Sequence, residues 1–145
     1  MEIWKVISGY KNYEVSNKGR VRRSAHIRCD KRGRTSTIKE IIMKPEVTFN
    51  GYLRVGLYKN GRFHHKRIAS LVAEAFLGIK PNGKEIDHID GDKTNNTPEN
   101  LRYVTHKENL NNPVTIAKRR ATYERKRQLK NPAHTSRVNR TFMAA

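Results

Sequence analysis

The stretch GYLRVGLYKNGRFHHKRIASLVAEAFLG, residues 51–78, constrains the fold most, because its hydrophobic period changes within it. Tyr52–Tyr58 alternates apolar and polar side chains, the period of a half-buried strand. Lys59–Asn60–Gly61 is a strong hairpin turn, and Arg62–His64 begins the return strand. The period then lengthens. Ile68, Leu71, Val72, Ala75 and Phe76 share one face of an amphipathic helix, which Gly78 ends. A lone hairpin is at best marginally stable, so this helix is expected to cover the hairpin's apolar face.

The flanks extend the pattern. Trp4–Ile7 and Tyr13–Ser16 read as short strands, with SGYKN between them and an NKG turn after them. Trp4, Tyr10 and Tyr13 alternate with aliphatic residues, so they are expected to make a small core. CDKRGRTST, residues 29–37, reads as a hairpin tip or mobile loop. Downstream, Glu85–Ile89 and Leu101–Thr105 read as strands joined by the turn-rich GDKTNNTPEN. Thr105 can then cap a helix, with Glu108 completing a capping box. Ala117–Leu129 can form a helix, but it is basic almost all round and has no wide apolar stripe. It is either a solvated tail or an arm laid on a phosphate backbone. The expected class is α+β, in three parts: a β-rich module at 1–47, a hairpin, helix and strand–loop–strand–helix element at 48–112, and a basic helical or extended arm at 113–145.

Charge narrows the partner. The chain carries 31 Lys and Arg against 13 Asp and Glu, a formal charge of +18, which calls for a polyanion. Cys29 is the only cysteine, so neither an intramolecular disulfide nor a zinc site on paired cysteines can form, and a reducing compartment suits it. No apolar run approaches the ~20 residues that span a bilayer, and MEIWKVISGY has no secretory apolar region. A soluble, intracellular protein is expected.

One segment breaks the positive trend. Residues 81–110 hold four basic and six acidic side chains, and Glu85, Asp87, Asp90 and Asp92 surround His88. These acids either neutralise basic neighbours or hold a cation. A calcium loop fails: with Gly91 as its turn glycine, Ile86 would fall on a ligand position and Thr97 where the closing Glu belongs. Asp87 and His88 suit hydrolysis better. Alternation along a strand points them to opposite sides, so one can hold a cation while the other activates a water. A single Asp is a thin Mg²⁺ site, so further oxygen ligands are needed, with Asn109 on the following helix and Asn95, Asn96 and Asn100 in the loop. His64 and His65, with no carboxylate nearby in sequence, are read as structural or DNA-facing.

The segments LVAEAFL, DHIDGDKTNN, PENLRYVT and HKENLNN, in this order and spacing, resemble the HNH nucleases of the ββα-metal fold. The likeness is to the branch found in phage and group I intron homing endonucleases. YKNYEVSNKGRVR is similar to a modular DNA-contacting motif that accompanies them, and together these segments cover roughly residues 1–112. The resemblance implies a ββα-metal element at about 84–112 and a metal-dependent DNA endonuclease. His88 would be the general base, with Asp87 and the Asn109 amide oxygen as metal ligands, an H-N-N form of the motif. Asn100 would bridge the loop and hold the base in place. Mg²⁺ is the implied cofactor, with Mn²⁺ or another divalent cation able to substitute. Cleavage in the family leaves a 5′-phosphate and a 3′-hydroxyl.

By their own chemistry Asp90, Asp92, Asn95 and Asn96 are read as turn formers, and on the resemblance Asn109 rather than His106 is the third motif residue. Double-stranded DNA is the implied partner. Its expected contacts are Arg20, Arg22, Arg23, Arg28, Lys31, Arg32 and Arg34 in the first module and Arg54, Lys66 and Arg67 on the hairpin. Lys118, Arg119, Arg120, Arg125, Lys126 and Arg127 would add contacts from the arm. One site per chain favours a monomer and leaves nicking and double-strand cutting both open, with no protein partner or membrane implied, in the cytoplasm of a phage-infected bacterium. The homing branch usually continues into a helix-turn-helix region; none is evident in 113–145, so long-site specificity is not expected there. The alternative is a non-catalytic DNA-binding regulatory protein that keeps the fold. The intact set Asp87, His88, Asn100 and Asn109 argues against it. A basic RNA-binding protein would not account for the acidic segment.

Overall fold

The computed structural model describes residues 1–130, so the last part of the expected arm, 131–145, lies outside the described residues. The architecture is α+β, and the chain separates into one compact unit, Met1–His106, and a second that begins at Lys107.

In the first unit, β1 (Trp4–Ile7), β2 (Tyr10–Ser16) and β3 (Val21–Arg23) form an antiparallel meander. Next, β4 (His26–Cys29) and β5 (Thr35–Ile38) pair only with each other, as a two-stranded ribbon. The chain then returns as β6 (Ile41–Ile42) beside β3, completing the order β1-β2-β3-β6. A second sheet, β7-β8-β9, follows from β7 (Glu46–Val47), β8 (Leu53–Lys59) and β9 (Arg62–Arg67). The turn between β8 and β9 has positive φ at both Asn60 (51°) and Gly61 (73°), the type I′ geometry whose twist matches a two-residue hairpin.

The helix α1 (Ile68–Phe76) starts immediately after β9 and touches β1, β2, β8 and β9 as well as the strands that follow it. Ile7, Tyr13, Val15 and Val21 from the first sheet meet Val55 and Leu57 from β8 and Ile68, Leu71 and Val72 from α1 in one hydrophobic cluster. Residues on both sides of position 47 therefore share one core. Ala69 and Ala73 are buried as well, while Ala75 and Phe76 are only partly covered. The buried face is thus turned and widened relative to the predicted stripe, because strands from several sheets surround the helix and small alanines let them approach. β9 is exposed at every position but His64, so the hairpin's buried face comes from β8 alone.

Trp4 corrects one expectation. It is half-buried outside the core cluster, with the Arg22 guanidinium 4.5 Å from its ring centroid. Tyr13 is buried and Tyr10 packs against the cluster, as expected of core aromatics.

The last pair of strands is β10 (Lys84–His88) and β11 (Leu101–Thr105), antiparallel, with a short 3₁₀ turn at Pro98–Asn100 before β11. Directly after β11 comes α2 (His106–Leu110), so Thr105 occupies the cap position. In the second unit α3 (Pro113–Lys130) is a helix along its whole described length. It begins earlier than periodicity suggested because Asn112 caps it: its Oδ1 accepts the Val114 N–H at 3.0 Å, and Pro113 suits a first helical position. No helix among the described residues is long and apolar enough to cross a membrane.

Candidate functional site

The β10–β11 register decides what each acidic residue does. Lys84 lies opposite Thr105, Asp87 opposite Arg102 and His88 opposite Leu101. Arg102 donates from Nε and Nη2 to Asp87 Oδ2 at 2.9 and 2.7 Å, and the carboxylate is buried. Glu85, nearer the start of the strand, is 3.0 Å from His106 Nδ1. That exposed pairing places His106 with Glu85 on the first strand.

Beyond His88 the chain turns through a loop held by its own side chains. Asp90 Oδ1 accepts the Asp92 N–H at 2.7 Å and the Asn100 amide at 2.9 Å, while Oδ2 accepts the Asn95 amide at 2.7 Å. Asp92 Oδ1 accepts the Thr94 N–H and hydroxyl at 2.9 and 2.7 Å. The Asn95 amide, the Asp92 N–H and the Asn100 amide hold the Asp90 carboxyl below the usual carboxylate range, and the Thr94 N–H and hydroxyl do the same for Asp92. Both acids are occupied in building the turn. Asn100 is buried and closes the loop: its Oδ1 accepts the Asp90 N–H at 3.1 Å, its Nδ2 reaches the Asn95 carbonyl at 2.8 Å, and its carbonyl accepts the Ile89 N–H at 2.9 Å. The acidic segment thus separates into three kinds of work, and only Asp87 lies buried beside the histidine.

His88 is buried, with Nε2 3.0 Å from Asn96 Oδ1. Its other nitrogen, Nδ1, has no hydrogen-bond partner among the described residues. The Tyr52 ring lies 6.1 Å from the imidazole, centroid to centroid, and carries two cations. The Arg67 guanidinium is 4.5 Å from its centroid and the Lys93 ammonium 4.6 Å. Lys93 is also tied to the Asn50 carbonyl at 2.8 Å. Positive charge therefore stands one ring away from the histidine.

Sequence reasoning did not find Arg102, Tyr52 or Lys93 as parts of this site, and it offered Asn96 only as a loop oxygen or turn former, not as the partner of His88. Arg102 needs the strand register to be known. A polar run such as KTNN does not distinguish the one amide that turns inward. Tyr52 looked like an ordinary strand aromatic.

The predicted DNA contacts divide by environment. Arg20 is paired with Glu2, Arg22 with Glu14 at 2.6 Å, Arg34 with Asp30 at 2.8 Å and Arg54 with Glu46 at 3.1 Å. Arg23 is half-buried, with Nε enclosed and without a partner among the described residues. Arg28, Lys31, Arg32, Lys66 and Arg67 are exposed. In the second unit Lys118, Arg119, Arg120, Arg125, Lys126 and Arg127 are exposed along α3. His65 does have a carboxylate nearby, Glu46 at 3.9 Å, because β7 pairs with β8 and brings it from far along the chain. Asn109 lies on α2 and belongs to the second unit.

Residues 69–111 match the family described as HNH endonuclease, and residues 2–58 match the NUMOD4 motif. The chain therefore carries an HNH endonuclease domain together with a NUMOD4 motif, and Asp87, His88, Asn100 and Asn109 all fall within the matched HNH region. More particularly, it is a homologue of the HNH homing endonuclease I-HmuI of Bacillus phage SP01. The two are 37% identical over 113 residues, 77% of this chain and 58% of that protein. The solved structure of DNA binding and cleavage by I-HmuI superposes with a TM-score of 0.62 at 36% identity, covering 79% of this chain and 59% of that one. An uncharacterized HNH endonuclease of Acanthamoeba polyphaga mimivirus is 37% identical over 128 residues, 81% of this chain and 29% of its own length. The chain thus spans less than two thirds of the length of these relatives. HNH endonucleases generally use a divalent metal.

Proposed function

We propose that the protein is a divalent-metal-dependent DNA endonuclease that cuts one strand of a duplex. The reading rests above all on the buried Asp87–His88 pair, with the imidazole gripped through Nε2 while Nδ1 has no protein partner among the described residues. In the neutral ring an Nε2–H leaves the Nδ1 lone pair to take a proton from an attacking water. The Arg67 and Lys93 cations beside Tyr52 suit the phosphates next to the cut. Asn100 keeps the loop closed so that His88 does not drift, a positioning role.

The donors fit a hard cation. Asp87 offers a carboxylate and Asn109 an amide oxygen. An ion that keeps most of its shell as water and phosphate oxygens needs few protein ligands, so these two oxygens suit it. Asp87 and Asn109 would hold Mg²⁺, with Mn²⁺ or another divalent cation able to replace it. Such an ion supplies neutralisation of the charge that builds on the phosphate and the leaving oxygen. The products are a 5′-phosphate and a 3′-hydroxyl.

A single HNH motif, with one Asp87–His88 pair among the described residues, supports nicking by a monomer. The module at 1–47 and the arm at 113–145 would add contacts to the DNA backbone beyond those of the nuclease segment at 48–112. The work would be done in the cytoplasm of an infected bacterial cell.

Supercoiled plasmid carrying the natural flanking DNA tests this, with wild type and His88→Ala each in Mg²⁺ and in EDTA. The expected result is open-circle product from wild type with metal only, and a rate for His88→Ala lower by ~10²–10⁴-fold with DNA binding kept. If neither protein cuts with any divalent metal while both shift the DNA in a gel, the regulatory-protein reading replaces this one.

A further inference from the structure

We propose that Asn96 is a positioning residue for His88, selecting the Nε2–H tautomer of the ring and so leaving Nδ1 as its basic nitrogen. The proposal rests on the reading of His88 as general base, although the tautomer itself can be observed without any cutting. Asn96 and His88 are 3% and 5% exposed, so water does not compete freely for the 3.0 Å contact between them. A carbonyl oxygen can only accept, and the nitrogen facing it must therefore carry the proton.

The direction of the Asn96 amide is settled by its other end. Nδ2 donates to the Thr94 carbonyl at 3.1 Å, and Thr94 is itself held by the Asp92 carboxylate through its N–H and hydroxyl. Turning the amide over would set Oδ1 against the Thr94 carbonyl oxygen and forfeit that hydrogen bond. The β2–β3 turn also packs closely on Asn96. A Cβ on Gly19, at φ +70°, would stand 3.1 Å from both Asn96 Cβ and the Asn96 carbonyl oxygen. The glycine lets the N-terminal module approach this closely, and a line of contact runs from that module through Asn96 to the histidine. An asparagine that merely formed the turn would need neither the inward orientation nor the burial.

The test combines His88 tautomer measurement with cutting rates. Protein labelled with ¹⁵N-histidine is examined by long-range ¹H–¹⁵N correlation at about pH 8.5, above the usual imidazole range, without metal. The His88 signals are assigned by their loss in His88→Ala. Wild type is expected to show the Nε2–H pattern, and Asn96→Ala a mixture of tautomers with cutting slowed by roughly 10–100-fold and KM for DNA little changed. Asn96→Asp, which keeps an acceptor, is expected to restore the Nε2–H pattern and part of the rate.

An Nδ1–H pattern in wild type overturns the proposal at once, even if Asn96→Ala does not fold. Unchanged tautomer and rate in a folded Asn96→Ala protein overturn it too. If instead His88→Ala cuts like wild type, the general-base reading fails, while the tautomer result stands or falls separately.

Discussion

The loop after β10 and the tip of the β4–β5 ribbon are both built on an aspartate, and they do different things with it. At the ribbon tip Asp30 accepts the N–H groups of Arg32 and Arg34 at 2.8 and 3.0 Å, and the Arg34 guanidinium at 2.8 Å. In the loop Asp90 accepts an N–H two residues away but also amides from Asn95 and Asn100. All of these Asp30 partners lie within four residues, so that turn closes on itself and presents its basic side chains outward. Asp90's farthest partner is ten residues along the chain and buried beside the core residue Leu101. The same turn chemistry yields a self-contained display of charge in one place and a fixed seat for a histidine in the other. What separates them is a non-local amide anchored in packed structure.

Removing that anchor should have the largest effect. Asn100→Ala leaves buried loop groups without partners, so a loss of ~1–3 kcal/mol is expected, read as a lower urea midpoint at unchanged slope. Plasmid nicking should slow by ~10²-fold as the base loses its seat. If Asn100→Ala behaves no differently from a change at the ribbon tip, the two turns are equivalent and the contrast is wrong.

Acid sharpens the comparison next. The Asp90 and Asp92 carboxyls titrate below their ordinary value of 3.8 in the folded protein. A depressed folded value means that their stabilisation is complete above the unfolded pKa and is lost as pH falls through the folded one. The melting temperature of wild type should therefore fall below about pH 4, and that of Asp90→Asn, lower at neutral pH, should fall less steeply. Asp30 is also held low, chiefly by the Arg34 N–H, but Asp30→Asn should leave the acid branch of the melting curve nearly unchanged, because the tip can open by itself.

Charge removal at the ribbon comes third. Lys31→Gln with Arg32→Gln should make DNA binding less sensitive to salt, the log–log slope falling by about one unit for each phosphate that is no longer neutralised. The cutting rate at saturation should stay the same. A changed rate at saturation would mean that the ribbon takes part in more than holding DNA. The smallest effect is expected from Asp30→Ala: a melting temperature within about 2 °C of wild type, with faster amide exchange at Arg32 and Arg34.

Much of the fold was legible. Trp4–Ile7, Leu101–Thr105 and the span of α1 match their predicted positions because period and turn residues act locally. The hairpin tip within residues 29–37 was legible from its turn residues, but the extents of β4 and β5, and the strands β6 and β7, were not foreseen. They are short and largely exposed, and carry little period to read. The motif order Asp87, His88, Asn100 and Asn109 was readable in the sequence, and the structure places Asp87 and His88 on β10 with Asn100 closing the loop before β11. The destinations of the other acids were not readable, since Glu85 could as well have faced a metal as His106.

From its sequence alone this protein was bound to have a hairpin running into an amphipathic helix, a turn at Asn60–Gly61, a strong excess of positive charge and an acidic segment around one histidine. Each follows from side-chain period, turn geometry or summed charge, which need no knowledge of distant neighbours. Only the tertiary structure decided that Asp87 meets Arg102, that Asn96 rather than Asn95 faces His88, and that Tyr52 brings Arg67 and Lys93 alongside. Those choices depend on strand register and on which loop atoms reach the core. A slip of one residue in the β10–β11 pairing would turn Asp87 and His88 to the opposite faces.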